Sequence, residues 1–457
     1  MALSPQLLLA FYGDDFTGST DALDFLSKAG IKTMLFIEPP SAAQLARYTG
    51  LQAIGVAGMT RAMAPDEMEE TLGPAFEALK ALNIPHVHYK VCSTFDSSPT
   101  VGSIGRAIDT GAAIFNNRFI PLLVAAPALG RYCVFGNLFA VMGIGSKGDI
   151  YRLDRHPSMS GHPVTPADES DLRLQLSRQT TKRVGLMNIL DIALPDAEMR
   201  QQLDSIVNEG CEVVLFDALY EDQLERIGNL INGAAKTTTL FSVGSSGIEM
   251  ALGNYWRRQT GAKAAPAWQP VGNPGPLLVI SGSCSPVTAK QITYALNNGF
   301  VQVAVDTQAL TFAGVTDDVV ANEAQKVIAL IKSGKSVIVH TSYGDDDPRV
   351  SQVREYSRQS GIATAALLGT LLGHIAVAAA AAGGLKRILV AGGDTAGFVA
   401  RAMRIEAVEM IAPLAPGAPL CKVYAPASAA DGLEVNFKGG QVGDENYLLT
   451  VLNGNSQ

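Results

Sequence analysis

Asp14 and Asp15 stand side by side in GDDFTGSTD (Gly13–Asp21), directly after the apolar run LLLAFYG. A carboxylate in such a loop can take a hydroxyl proton or orient a sugar hydroxyl. Thr17 and Ser19 can cap the helix that follows, leaving backbone amides free to meet an anion. An Asx turn with a helix cap explains one Asp, a Thr and a Gly, but it does not require two acids. A second loop, KVCSTFDSSPTVGSIG (Lys90–Gly105), carries Lys90, Ser93, Thr94, Asp96, Ser97 and Ser98. One cation, one anion and several hydroxyls suit a polyhydroxylated acid, although Ser and Thr are also ordinary turn residues. Arg61, in MTRAM, is a fork-shaped donor matched to a carboxylate; a lone Arg after a strand is usually solvent-facing or an ion-pair partner.

Two further loops have the chemistry of phosphate cradles. SGSCSPVTAKQ (Ser281–Gln291) follows LLVI and precedes ITYALNN. AGGDTAG (Ala391–Gly397) follows RILV and precedes FVARAM. Glycine lets backbone amides approach a phosphate with no Cβ in the way, and a helix N-terminus favours the anion. Two such loops predict phosphates held at neighbouring strand ends; either loop alone could be a tight turn. GSSG (Gly244–Gly247) is similar. GxxxxGK[ST], HExxH and GxSxG are absent. GIGSKG (Gly143–Gly148) matches GxGxxG in letters, but DIYRLDRHP follows it and no helix begins there, so a dinucleotide fingerprint is not expected. His156, in LDRHPSMSGHPVTP, is read as structural or exposed.

These loops need a scaffold that presents strand ends. Apolar β-rich runs alternate with helical patterns from LLLAFYG through IKTMLFIE, LQAIGVAG, HVHYKVC, LLVAAP, VVLFD and TLFSVG. Such alternation predicts an α/β protein with largely parallel sheets flanked by helices. LLLAFYG, a helix ending at Ala29 with Gly30 as its stop, and IKTMLFIE read as a βαβ unit. In parallel sheets, ligands bind at the carboxyl ends of the strands. The segment AKAAPAWQPVGNPGP (Ala262–Pro276) holds four prolines and two glycines and cannot form helix or central strand. It divides the chain into a first domain, 1–261, and a second, 277–457, with an active-site cleft expected between them.

Composition narrows the class. The 457 residues are 47% hydrophobic and 17% charged, with a net charge of −8, so disorder is excluded and nucleic acid and anionic membranes are poor partners. Five scattered cysteines show no CxxC spacing; neither zinc nor a disulfide framework is indicated, and a reducing cytoplasm fits. MALSPQLLLAFYGDD lacks a basic start and is not read as a signal peptide. Gly361–Leu385 carries no Asp, Glu, Lys or Arg, but its alanine-rich content with Gly369 and Gly373 predicts a buried, closely packed helix rather than a membrane span.

Nine segments in order resemble the four-carbon acid sugar kinase family: YGDDFTGSTDAL, KVCSTFDSSPTVGSIG, GNLFA, YRLDRHPSMSGHPVTPADESDLRLQL, SVGSSGIE, SGSCSPVTAKQ, AGGDTAG, APGAP and FKGGQVGDENYL. The resemblance implies an N-terminal sugar-acid-binding domain and a C-terminal nucleotide-binding domain. It implies ATP- and Mg²⁺-dependent phosphorylation of a threonate, an erythronate or a 3-oxo-tetronate, with a small-molecule acid as partner. Asp14 and Asp15 fall at the substrate end, with Thr17, Arg61, Lys90, Ser93, Thr94 and Asp96. Either Asp would serve as base, and Arg61 or Lys90 would bind the substrate carboxylate. The ATP-contacting loops land on Ser281–Ser283, on Gly392–Thr395, and on Gly439 and Gly440; no metal ligand is assigned. Many relatives read KxDSTxRGN where this chain has Asp96-Ser97 in place of Arg-Gly, which bears on the identity of the acid. The terminal loop, usually KSGNFG, here runs Lys438-Gly439-Gly440-Gln441-Val442-Gly443 and keeps its backbone cradle. The alternative is a non-catalytic acid- and nucleotide-binding or effector-like protein on the same scaffold. The sequence is compatible with a homo-oligomer.

Overall fold

The computed structural model describes residues 7–142, 147–161, 164–236, 238–259, 268–307, 310, 314–344 and 346–455. Residues 143–146 of GIGSKG, Pro163, and 262–267 of the Pro/Gly segment lie outside the described residues. Internal contacts divide the chain into two units, Met1–Thr33 with Pro39–Pro266, and Met34–Glu38 with Ala267–Gln457. Both contain parallel strands flanked by helices, and the α/β architecture is the expected one.

In chain order the strands up to residue 260 are β1 (Leu9–Gly13), β2 (Thr33–Phe36), β3 (Ala53–Ala57), β4 (His86–Lys90), β5 (Ile120–Leu123), β6 (Arg131–Val134), β7 (Asn137–Val141), β8 (Ile150–Arg152), β9 (Val184–Met187), β10 (Val213–Phe216) and β11 (Leu240–Gly244). The first unit's main sheet is parallel throughout, in the order β3-β1-β4-β11-β5-β10-β9. β1 lies inside it with all five residues buried, so LAFYG reads as an unbroken apolar run rather than an alternating one. Gly55 on β3 makes room for the Phe11 ring, which a Cβ there would meet at 2.1 Å. Phe16–Lys28 follows β1 as a helix, burying Phe16, Ala22, Leu23 and Leu26. It stops at Ala29, and Gly30 continues at φ +84°.

Two features differ from the sequence reading. The partners of β1 are β3 and β4, so the βαβ unit that starts with β1 does not close on β2. β6, β7 and β8 form a small antiparallel sheet that the search for parallel units passes over. Its tight turn places Phe135 and Gly136 at φ +49° and +80°. The buried Asp217 carboxylate secures the turn by accepting from both backbone N–H groups, at 2.5 and 3.0 Å.

The second unit contains β12 (Leu277–Ser281), β13 (Val301–Ala304), β14 (Val337–His340), β15 (Arg387–Ala391), β16 (Ala407–Ala415), β17 (Ala418–Tyr424) and β18 (Glu434–Lys438). The order β13-β14-β12-β15-β18 is parallel, and β17, β16 and β2 complete it antiparallel. β2 enters here, with Phe36, Leu35 and Met34 opposite Ala407, Val408 and Glu409. The alanine-rich helix Thr364–Ala381 is long and apolar enough to cross a membrane, by length and composition. It packs on the helix Gly393–Ala402 as the glycines predict. A Cβ at Gly369 would meet the Phe398 ring at 2.6 Å, and one at Gly373 would meet Ala402 at 2.7 Å.

Candidate active site

Strand register assembles the first unit's edge. Gly13, Ala57 and Gly244 lie level with Lys90 or with each other across β3, β1, β4 and β11, so the loops after these strands emerge together. Asp15 is the N-cap of Phe16–Lys28, accepting from Gly18 N at 2.7 Å and Thr17 Oγ1 at 2.8 Å. The helix cap therefore accounts for Asp15 and leaves Asp14 unexplained by turn chemistry.

Arg61 joins the two acids. Its Nε and Nη2 donate to Asp14 Oδ2 and Oδ1 at 3.1 and 2.8 Å. Its Nη1 and Nη2 donate to Asp15 Oδ2 and Oδ1 at 3.0 and 2.9 Å. Arg61 is thus bidentate to both neighbours, and its own charge is held well above the usual range against burial by Asp14 and Asp15.

The two carboxylates differ in what remains open. Each Asp15 oxygen already accepts two hydrogen bonds, whereas each Asp14 oxygen accepts one. Burial raises the Asp14 carboxyl above its ordinary range although Arg61 opposes it. Burial acts on Asp15 too, but Arg61, Lys90, Thr17 and the Gly18 N–H outweigh it and hold that carboxyl low.

Lys90, the last residue of β4, is buried and donates to Val91 O at 3.0 Å. It acts electrostatically on Asp14, Asp15, Asp21 and Glu249. Asp21 accepts from Ser246 of the GSSG segment. Glu249 lies behind, its carboxyl pushed up to about 8 by burial, 3.7 Å from a His88 pushed down to about 3 by burial. Both are neutral at pH 7, so this contact is not an ion pair. On the loop after β4, Thr94 Oγ1 donates to Asp96 at 2.8 Å and meets Cys92 Sγ at 2.9 Å. Ser93 is half-buried on the same loop.

Sequence reasoning missed Arg131. It opens β6, tied through the Ala126–Arg131 bridge to the loop after β5. Its Nη1 donates to the carbonyls of Leu129, Gly130 and Val141 at 3.0, 3.2 and 3.4 Å. Its Nε is buried without a hydrogen-bond partner among the described residues. Burial lowers its hold on the proton, while Cys92, Asp96 and Asp21 oppose that from the site loops. Arg131 lies just past the strand LLVAAP, where a ligand edge is expected of any parallel strand. His156, read as structural, is buried, and its Nδ1 accepts from Ser158 N and Met159 N.

In the second unit, register sets Ser281 beside His340 and Ala391, and Ala391 beside Lys438. The three expected nucleotide loops therefore share one edge. A Cβ at Gly282 would meet Thr395 Oγ1 at 2.3 Å, and one at Gly440 would meet Ser283 Oγ at 2.7 Å. Thr288 Oγ1 meets Gly440 O at 2.9 Å and Ser283 Oγ at 3.1 Å. Gly392, at φ +121°, caps Gly393–Ala402 with no side chain in the way of its first amides. Gly393 and Gly439 flank these contacts, and Asp394 stands exposed on the first helical turn. Among the described residues no group of three or more His, Cys, Asp or Glu could hold a metal ion.

One unit presents an acid-lined strand edge and the other a glycine-loop edge. A family model described as a sugar-binding N-terminal domain matches residues 9–252, and one described as a nucleotide-binding C-terminal domain matches 278–448. A 3-oxo-isoapionate kinase of Paraburkholderia graminis is 40% identical over 98% of this chain and 94% of its own. A 3-oxo-tetronate kinase of Methylobacterium radiotolerans is 29% identical over 98% and 99%. A solved structure from Salmonella typhimurium LT2 has a TM-score of 0.77 at 25% identity, covering 97% of this chain and 98% of its own. The chain belongs to the four-carbon acid sugar kinase family, and it is a phosphotransferase with an alcohol group as acceptor.

Proposed function

We propose that this protein is an ATP-dependent, cytoplasmic kinase for a short polyhydroxylated acid of the 3-oxo-tetronate or 3-oxo-isoapionate type. The reading rests on one observation above the others. Asp14 keeps accepting capacity at an edge where Asp15 has none left. In this reading Asp14 takes the proton of the acceptor hydroxyl, whose oxygen forms its bond to the γ-phosphorus as the bond to the ADP oxygen breaks. Asp15 and Arg61 fix Asp14 in place. Lys90, Thr17, Ser93, Thr94 and Asp96 meet the hydroxyls and the oxo group. Ser281–Ser283, Gly392–Thr395, Gly439 and Gly440 hold the nucleotide phosphates. Asp394 would hold a Mg²⁺ through water or orient the nucleotide, the ion supplying charge neutralisation on the phosphates when bound. Phosphoryl transfer asks little more of a protein than alignment and charge neutralisation.

Arg61 is committed to two carboxylates, so we assign the substrate carboxylate to Arg131. Arg131→Met is expected to raise the KM for the acid about 10–100-fold, the cost of one charge-assisted hydrogen bond, with the KM for ATP unchanged. Equal KM values for the acid in both proteins would remove Arg131 from the site.

The function is tested by ADP release with ATP and Mg²⁺ across both enantiomers of threonate and erythronate, their 3-oxo forms, and 3-oxo-isoapionate. Release that depends on one acid names the substrate. Nucleotide binding with no release on any acid would favour the non-catalytic reading.

A further inference from the structure

Lys438 closes β18 with 0% of its surface exposed. Its Nζ donates to Thr288 Oγ1 at 3.2 Å, the same hydroxyl that meets Gly440 O and Ser283 Oγ. An ammonium has three donors, and among the described residues no carboxylate pairs with this one. Buried charges in folded proteins are paired, so a buried lysine with one hydroxyl for company points to an anion that arrives later. A second polar atom at the same edge agrees: Ser281 Oγ is buried with no hydrogen-bond partner among the described residues.

We propose that Lys438 is a phosphate-binding residue of the nucleotide site, becoming fully charged only when phosphate occupies the loops, so that nucleotide binding draws in a proton. The inference rests on reading the second unit as the nucleotide holder. Burial alone pushes the Lys438 amine down to about 7, with no charged neighbour contributing. Lys290, Asp394, Asp444 and Glu445, on the elements around it, are exposed. His340 at the end of β14 is pushed down to about 4 by burial and the Arg349 charge, and is neutral. Arg387 and Glu434 pair with each other at the opposite end of β15 and β18. A phosphate beside Nζ favours the charged form. At pH 8 the free protein holds little of this proton and the complex holds most of it; near pH 6 both hold it.

The experiment is calorimetric titration of ADP at pH 8 in two buffers of different ionisation enthalpy, repeated near pH 6. At pH 8 the second ionisation of a phosphate monoester, near about 6, is complete, so the nucleotide supplies no proton. The expected result is uptake approaching one proton at pH 8, lost or turned into net release near pH 6, where Lys438 is already charged and the phosphate sheds its own proton on binding. Lys438→Met, straight-chained and apolar, is expected to stay folded by circular dichroism, lose the uptake, and bind ADP about 10–100-fold more weakly. The same uptake in both proteins, none in the wild type, or unchanged ADP affinity in the variant would overturn the inference. The wild-type arm reads out even if the variant does not fold. Failure of the wild type to bind ADP or ATP at all would instead take down the nucleotide reading.

Discussion

Asp14→Asn is expected to lower turnover by about 10²–10⁴-fold, the range for loss of a positioned general base. ADP affinity should be unchanged, because Asp14 belongs to the first unit. The carboxamide keeps the shape and can still accept one hydrogen bond from Arg61, so the fold should survive. Asp15→Asn is the comparison. It weakens a helix cap, which costs stability of order 1 kcal/mol, and it disturbs Asp14 through Arg61 and by removing the neighbouring negative charge. Steady-state kinetics on the acid found by the substrate panel decide the matter. A loss under tenfold in Asp14→Asn would remove it as the base, and a larger loss in Asp15→Asn would transfer the role to its neighbour.

Arg61→Met is expected to be among the most destabilising single changes in the first unit. It strips the counter-charge from two adjacent carboxylates whose side chains are 4% and 15% exposed. Breaking such a pair from one side costs about 3–5 kcal/mol. The pH dependence gives the cause away. Without Arg61 the folded-state pKa of Asp15 rises above its unfolded value, and that of Asp14, already above it through burial, rises further. Folded protein then binds protons that unfolded protein releases, so the loss is smallest in acid and grows as pH rises through the raised values. Urea denaturation at pH 8 and pH 5 should show the variant's deficit shrinking at the lower pH. An equal deficit at both would mean that Arg61 matters for packing and not for charge.

The legible parts of this protein were those written locally. Unbroken apolar strands, the stop at Gly30, and the close helix contact at Gly369 and Gly373 all follow from short-range sterics and burial. So did the candidate loops, because in a parallel sheet a residue just past a strand is at the ligand edge whichever strands are neighbours. Pairing was not legible. TMLF is buried at every position, and such a run looks the same beside a parallel or an antiparallel partner, so nothing in it announces β16. The difference between Asp14 and Asp15 was also out of reach. It depends on how many lone pairs Arg61, Thr17 and Gly18 occupy, and Arg61 is far away in sequence. Arg131 escaped because it begins a small antiparallel strand instead of ending a parallel one.

β2 has a consequence for how the chain can be made or divided. The second unit's sheet takes in a distant piece of its own chain, so β2, synthesised early, has no partner in that sheet until β16 is made. A fragment beginning at Ala267 would carry β16 with the backbone groups of Ala407, Val408 and Glu409 no longer covered by Met34, Leu35 and Phe36. An open edge of that kind seeks a strand from any chain that offers one. The proline-rich segment invites a cut in sequence, but a cut there separates a sheet from one of its own strands. Duplication, fusion or exchange of the nucleotide half would have to carry those few N-terminal residues along.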